Sequence, residues 1–301
     1  MEIFKKETHI DFMGKARMAI MCSGLLILAS LASLGIQGGM KFGIDFAGGT
    51  LVQLKFESPP NLSDIRDSLK DLGLADSTIQ EFGSPNHILI RVERSQGALE
   101  EMGTTLKEAL AKRIDPDTIT VERVEMVGPK VGKDLREKAM LSILYAIIGI
   151  VIYISWRFEF QYAIAAIIAL MHDVMLTMGA FSVMDKEFTL VVVAAFLAII
   201  GYSLNDTIVV FDRIRENWRR RGKASLISVI NTSINQTLSR TLLTSGTTLL
   251  VVVSLFVLGG EIIHDFAFAL LVGVVVGTYS SIFIASVFLV FWESRSKRKK
   301  A

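Results

Sequence analysis

Along the chain, apolar residues gather in six windows of about 20 residues, the length a helix needs to cross a hydrocarbon core about 30 Å thick. The windows run approximately from Arg17 to Ile36, Ala139 to Trp156, Tyr162 to Met184, Phe188 to Phe211, Leu238 to Leu258 and Phe266 to Trp292. Between the first two windows the pattern changes to short apolar runs alternating with polar residues, over about 100 positions. That segment is rich enough in apolar positions to fold alone. FGIDFAGGTLVQLKF (42–56) predicts a strand pair or a bent strand around Gly48-Gly49, and NLSDIRDSLKDLGL (61–74) a helix capped by Asn61 or Ser63. STIQEFG (77–83) and HILIRVE (87–93) predict two strands separated by Ser-Pro-Asn turn chemistry. A second helix follows over about Gly97 to Arg113, and TITVERVEMV (118–127) closes with period-two alternation. The order is βαββαβ, a split βαβ or ferredoxin-like unit. The predicted fold is an α-helical polytopic membrane protein of six transmembrane helices, with a small α+β domain between helices 1 and 2.

Composition supports this class. Of 301 residues, 51% are hydrophobic, and the mean hydropathy is +0.48, too apolar for a soluble domain of this size. Net charge is only +2, but Lys and Arg are unevenly placed, and their placement orients a membrane protein. With the N-terminus inside, Lys5, Lys6, Lys15, Arg17, Arg157, the run Arg213 to Lys223 and the tail Arg295 to Lys300 all fall on the cytoplasmic face. The short outer loops hold only Lys186. The resulting division is a cytoplasmic N-terminus (1–16), helix 1 (17–36), the outer α+β domain (37–138), helices 2–6 (139–292) with a basic amphipathic inner loop (212–237), and a basic tail (293–301). That loop suits the anionic inner surface of a membrane or a docked partner. No folded basic domain accompanies it, which argues against nucleic acid. The first window is longer than a signal-peptide core and reads as an anchor. Cys22, the one cysteine, lies inside it, so no internal disulfide forms.

Candidate chemistry lies in the charges inside the windows, which are costly in lipid and call for a reason. Asp206 sits about six residues past the middle of the fourth window, roughly 9 Å to the cytoplasmic side of the bilayer centre. Arg240 sits about eight residues before the middle of the fifth, roughly 12 Å to the same side. At matching depth on consecutive antiparallel helices the two can pair. The plain reading is a structural ion pair. The functional one is an Asp206 that alternates between ionised and paired with Arg240, and protonated and released. His172-Asp173, at the middle of the third window, offers Asp173 as a second proton or water site, and His172 as either a packing residue or a relay. Adjacent helical residues point about 100° apart, so only one of the two is expected to face the bundle axis squarely. Asn205 cannot titrate and reads as a helix–helix hydrogen-bonding group. Small and hydroxylated residues surround these charges, among them Thr244 and Ser245 on the fifth window and Gly273-xxx-Gly277 on the sixth. Close helix packing accounts for most of them, and hydroxyls near Asp206 could order water.

No energy-supplying cofactor is indicated. VGPKVGKDL (127–135) fails as a phosphate loop, because Gly128 and Gly132 are one residue too close and Asp134 stands where Ser or Thr is needed. The histidines are scattered, and no metal-ligand spacing occurs.

Six stretches in order, FGIDFAGGT (42–50), VGPKVG (127–132), HDV (172–174), GYSLNDTIVVFDRIREN (201–217), RTLLTSGTTL (240–249) and DFAFALLVGVVVGTYSSIFIAS (265–286), resemble the SecF family, the smaller membrane subunits of bacterial SecD–SecF protein-export complexes. The likeness covers essentially the whole chain. It implies the RND superfamily, whose proton-coupled transporters use six-span halves with a soluble domain after the first span. It also implies that Asp206 and Arg240 are tied to proton movement, and that Gly43, Asp45, Gly48 and Gly49 form the motif of a periplasmic domain. One departure is Val287, where family members often carry Pro.

The function so implied is a non-enzymatic, proton-driven auxiliary subunit of protein export in the inner membrane. Its partners would be SecD and the SecYEG channel, with YajC as a further candidate, and it would meet membrane lipids and the translocating polypeptide. Two other readings stand beside it: half of an RND-type exporter of lipids or small molecules, and a passive assembly factor whose charges hold helices in register.

Overall fold

The computed structural model describes residues 8–75, 77–92 and 99–298. Lys5, Lys6, Lys299, Lys300 and the expected helix start at Gly97 lie outside these. The chain forms two compact units, one of Phe42–Leu141 with Phe188–Leu190, the other of the remaining residues.

In the first unit four strands, β1 (Gly49–Phe56), β2 (Thr78–Phe82), β3 (Ser84–Val92) and β4 (Ile119–Val127), form one antiparallel sheet in the order β2-β3-β1-β4. Period-two alternation sends Val52, Leu54 and Phe56 of β1 and Ile88, Ile90 and Val92 of β3 to one face. There they pack with Ile65 and Leu69 of the helix Leu62–Asp71 and with Leu106 and Leu110 of the helix Leu99–Leu110. The side chain of Asn61 caps the first of these helices by accepting from the Ser63 amide at 3.1 Å.

Three local expectations are corrected. The segment before β1 is a helical turn, Ile44–Ala47, because Gly48 (φ +76°) and Gly49 (φ +122°) break the backbone between turn and strand. β2 and β3 are joined at Gly83 (φ +72°), and Ser84-Pro85-Asn86 already belongs to β3. In β4 a register shift opposite Gln53/Leu54 leaves Glu122 as the extra residue, so Val121 and Val124 both reach the core although three apart.

Gly48 also has a packing reason. A Cβ there would lie 3.1 Å from Pro129 Cα, and one at Gly132 would lie 3.1 Å from the Gly48 amide nitrogen. Gly43 N donates to Phe188 O (3.0 Å), and Asp45 Oδ2 accepts from Leu190 N (2.8 Å). The motif Gly43, Asp45, Gly48 and Gly49 is therefore a tight backbone junction. Gly48→Ala combines left-handed strain with a close approach and is expected to cost about 1–3 kcal/mol, read as a lowered unfolding midpoint of the purified full chain.

The second unit is built on six long apolar helices. Span one is Ala16–Ile36, span two Pro129–Arg157, span three Phe160–Val183, span four Leu190–Arg219 and span five Leu226–Leu258. Span six comprises Glu261–Ser280, a π-helical turn Ser281–Ala285, and Ser286–Arg298. Spans three and four are the most buried, while spans one, two and five expose apolar faces such as Leu25, Leu144 and Leu250. Such faces suit lipid, because every backbone polar group inside a helix is already bonded. Spans one and three meet where Gly179 lets Ser30 approach, next to Ser33–Ser182 (2.8 Å) and Gln37 Nε2 donating to Ser182 O (2.6 Å).

The second span begins ten residues before the expected start at Ala139, because a helix starts at Pro129, a residue favoured at a first helical position. The loop between spans four and five is also shorter than the expected 212–237. Residues 212–219 continue span four, and 226–237 continue span five from a cap at Ser225. No Pro or Gly interrupts 226–245, so the polar residues there extend the helix instead of forming a separate surface segment. The basic run is partly compensated by the pairs Arg157–Asp212 (3.2 Å), Arg213–Glu216 (2.6 Å) and Arg220–Glu216 (3.4 Å).

The polar start of span five clasps the N-terminal segment. Asn235 Oδ1 accepts from Ile10 N (2.9 Å) while its Nδ2 donates to Ile10 O (2.8 Å), and Asn231 Oδ1 accepts from Met13 N (2.9 Å). Asp11 Oδ1 accepts from Gly14 N and Asn231 Nδ2, both at 2.8 Å, and these donors hold its carboxyl below its ordinary value. A carboxyl depressed in the folded state stabilises above its unfolded pKa and ceases to do so as pH falls through the folded one. Acidification below the ordinary aspartate range is therefore expected to loosen the clasp. Hydrogen exchange at the Met13 and Gly14 amides, corrected for its intrinsic pH dependence, is the measurement that checks it.

Candidate functional site

Among the described residues, two carboxylates are buried inside the helical unit. Asp206, on span four, is 7% exposed. Its Oδ1 accepts from the Thr241 hydroxyl of span five at 2.9 Å, and its Oδ2 from Ser281 of span six at 2.7 Å. Among the described residues no ion pair joins it to Arg240. Arg240 is exposed. Depth counting placed both on one level, but it does not give direction around the helix. Arg240 and Thr241 are neighbours pointing about 100° apart, and Thr241 is the one turned toward Asp206.

Asp173, on span three, is fully buried. Its Oδ2 accepts from Ser203 of span four (2.5 Å) and Ser280 of span six (2.8 Å), and its Oδ1 lies 2.9 Å from His172 Nδ1. His172 is buried as well, but it bonds span one while Asp173 bonds spans four and six, as neighbours pointing about 100° apart do. The contact continues from His172 Nε2 to Ser23 Oγ on span one (3.1 Å), then to Tyr279 Oη (3.0 Å), which donates to Ala19 O (2.8 Å). Because Tyr279 gives its one proton to Ala19 O, Ser23 donates to Tyr279, and His172 Nε2–H in turn donates to Ser23.

The remaining sequence candidates divide. Ser245 links three spans, accepting from Tyr202 at 3.0 Å and pairing with Thr278 at 2.7 Å. Thr244 bonds back to Arg240 O and Thr241 O on its own helix, both at 3.0 Å. Asn205 is exposed and makes no side-chain hydrogen bond among the described residues. Gly273 lies against Ile199, and a Cβ at Gly277 would come within 3.0 Å of Ser203 Cβ. These glycines let span six approach span four where Ser203 serves Asp173. The parts missed from sequence are Ser23, Ser203 and Tyr279. Their one legible signal is a hydroxyl inside a membrane window, which many other positions share. No group of three or more potential metal ligands occurs among the described residues.

The model of the SecD/SecF protein-export membrane protein C-terminal family matches residues 106–295, and that of the SecD/SecF GG motif matches residues 33–60. The chain belongs to the SecD/SecF family. The chain is 52% identical over 293 residues to the protein translocase subunit SecF of Desulfurispirillum indicum, covering 95% of this chain and 93% of that one. The SecF subunit of Magnetococcus marinus is also 52% identical, covering 100% and 97%. Among solved structures, the crystal structure of SecDF, a translocon-associated membrane protein from Thermus thermophilus, superposes with a TM-score of 0.87 at 35% identity. That match covers 97% of this chain and 40% of the other, so this chain spans well under half of the SecDF polypeptide. The GG-motif match includes the Gly48-Gly49 junction, and the C-terminal match contains both buried carboxylates. This SecD/SecF member is a multi-pass membrane protein, and its relatives bear the name of a translocase subunit.

Proposed function

We propose that the chain is a proton-motive-force-driven subunit of the protein translocase, acting in the inner membrane with both termini inside. It works with SecD and at the SecYEG channel, with YajC as a further partner, to draw polypeptide outward. It takes its energy from the proton gradient, without a bound cofactor, and meets lipid but no nucleic acid. The observation that carries this reading is Asp206: a buried carboxylate held by two neutral hydroxyls instead of a fixed ion pair. A permanent guanidinium partner would pin it ionised, because separating a buried pair is costly. Thr241 and Ser281 can instead donate to the ionised form or reorient around the acid. Arg240 is exposed, one residue away from Thr241, and so is not fixed to Asp206. One proton crossing the membrane field releases on the order of 2.3 kcal/mol per 100 mV, enough to bias a conformational cycle.

Export of a preprotein in membrane vesicles, with and without a proton gradient, tests the reading in the wild-type chain against Asp206→Asn. Loss of the gradient-dependent part supports it. Export by Asp206→Asn at the wild-type rate overturns it.

A further inference from the structure

Span six is not one regular helix. At Ser281 it widens into a π-helical turn that runs to Ala285, and the Ser286 hydroxyl donates back to Ser281 O at 3.1 Å. Single π turns inside α-helices occur frequently at functional sites. This one begins beside the two residues that reach the two buried carboxylates, Ser280 at Asp173 and Ser281 at Asp206. Asp173 is on span three and Asp206 on span four, so one short piece of span six touches both.

Each serine has a second acceptor in its own helix. Ser280 Oγ lies 3.2 Å from Gly277 O, and Ser281 Oγ lies 3.0 Å from Thr278 O. A hydroxyl has a single proton to donate. Beside an ionised carboxylate the serine gives that proton to the carboxylate. Beside a carboxylic acid whose proton is on Oδ2, the oxygen that faces Ser280 in Asp173 and Ser281 in Asp206, the serine receives that proton in a hydrogen bond and turns its own toward the helix carbonyl. The first arrangement leaves the carbonyls of Gly277 and Thr278 to the backbone, and the second adds a side-chain donor to them. Such back-bonding bends helices, and here it falls within four residues of the π turn.

We infer that Ser280 and Ser281 are positioning residues that link the protonation of Asp173 to that of Asp206 through the backbone of span six at its π turn. The link deepens the proton-carrying reading of Asp206 and rests on it. The other titratable or charged groups around the pair are His172 on span three, Tyr202 on span four, Arg240 on span five and Tyr279 on span six. From span one, the neutral Ser23 contacts His172 and Tyr279.

The test is a double-mutant cycle on titration, using the full chain reconstituted in liposomes. The infrared carboxyl stretch that vanishes in Asp206→Asn reports Asp206. Asp173→Asn is expected to move its midpoint by about one pH unit in the wild-type background, and by less than about 0.2 unit in the Ser280→Ala/Ser281→Ala background. Ser281→Ala alone breaks the same link and serves if the double variant does not fold, while Ser281→Thr, which keeps a hydroxyl, is expected to retain the shift. An equal shift with and without the hydroxyls means the carboxylates sense each other only through space, and overturns the inference. So does no shift in either background, loss of the shift in Ser281→Thr, or a band that does not titrate between about pH 4 and pH 9. Export that is indifferent to Asp206→Asn would sink the transport reading alone, because the linkage is measured without transport.

Discussion

An Asp206→Asn chain is expected to lose the gradient-dependent part of export while still folding and inserting. Forfeiting one proton's work at about 100 mV, roughly 2.3 kcal/mol, corresponds to about a fifty-fold loss of drive. The fold should survive because the amide is nearly isosteric with the carboxylate. Its oxygen can accept from one of the two hydroxyls, Thr241 or Ser281, that now serve Asp206. Its NH2 group can donate to the other. Ser281 can adapt most easily, since Thr278 O stands 3.0 Å away as a replacement acceptor. A folded, membrane-inserted variant that exports at the gradient-free rate separates proton coupling from the passive reading, in which charges only hold helices in register. Gradient-independent export should be unchanged, which makes each vesicle preparation its own control.

Gly179→Val is expected to be the most destabilising single change in the helical unit. A Cβ at Gly179 would collide with the Ser30 side chain and come within 3.0 Å of Ser30 Cα. Backbone cannot rotate away, so span one must move as a whole. Overpacking costs about 1–3 kcal/mol, and displacement of span one also threatens the bonds of Ser33 and Gln37 to Ser182, each worth about 1 kcal/mol. A total of about 3 kcal/mol or more is expected from unfolding of the detergent-solubilised chain. Gly246→Val is the comparison, since nothing lies within 4 Å of a Cβ there. Equal losses from the two substitutions would refute the packing account.

Sequence periodicity makes some of this molecule plain and leaves other parts hidden. Six apolar windows became six membrane-length helices, because apolar length is a local property that lipid reads directly. The βαββαβ order followed from period-two runs and helix caps. Helix continuity was hidden at 129–138 and 226–237. Polar residues outside lipid look like loop, yet the backbone needs only an uninterrupted hydrogen-bond ladder and a suitable first residue, Pro129 or a capping Ser225. The bulge at Glu122 was hidden too, since register depends on the partner strand.

The candidate site divides the same way. The chain by itself determined that Asp206 and Asp173 lie within apolar helices, and roughly how deep, because rise along a helix is constant at 1.5 Å per residue. Only the tertiary structure decided what satisfies them: Thr241 and Ser281 for Asp206, Ser203, Ser280 and His172 for Asp173. Rotation of one span against another is set by close approaches such as Gly179 to Ser30 and Gly277 to Ser203, which lie far apart in sequence. A turn of about 100° replaces one neighbour by the next. That step is the difference between the guanidinium of Arg240 and the hydroxyl of Thr241, and so between an ion pair and a carboxylate held by neutral hydroxyls.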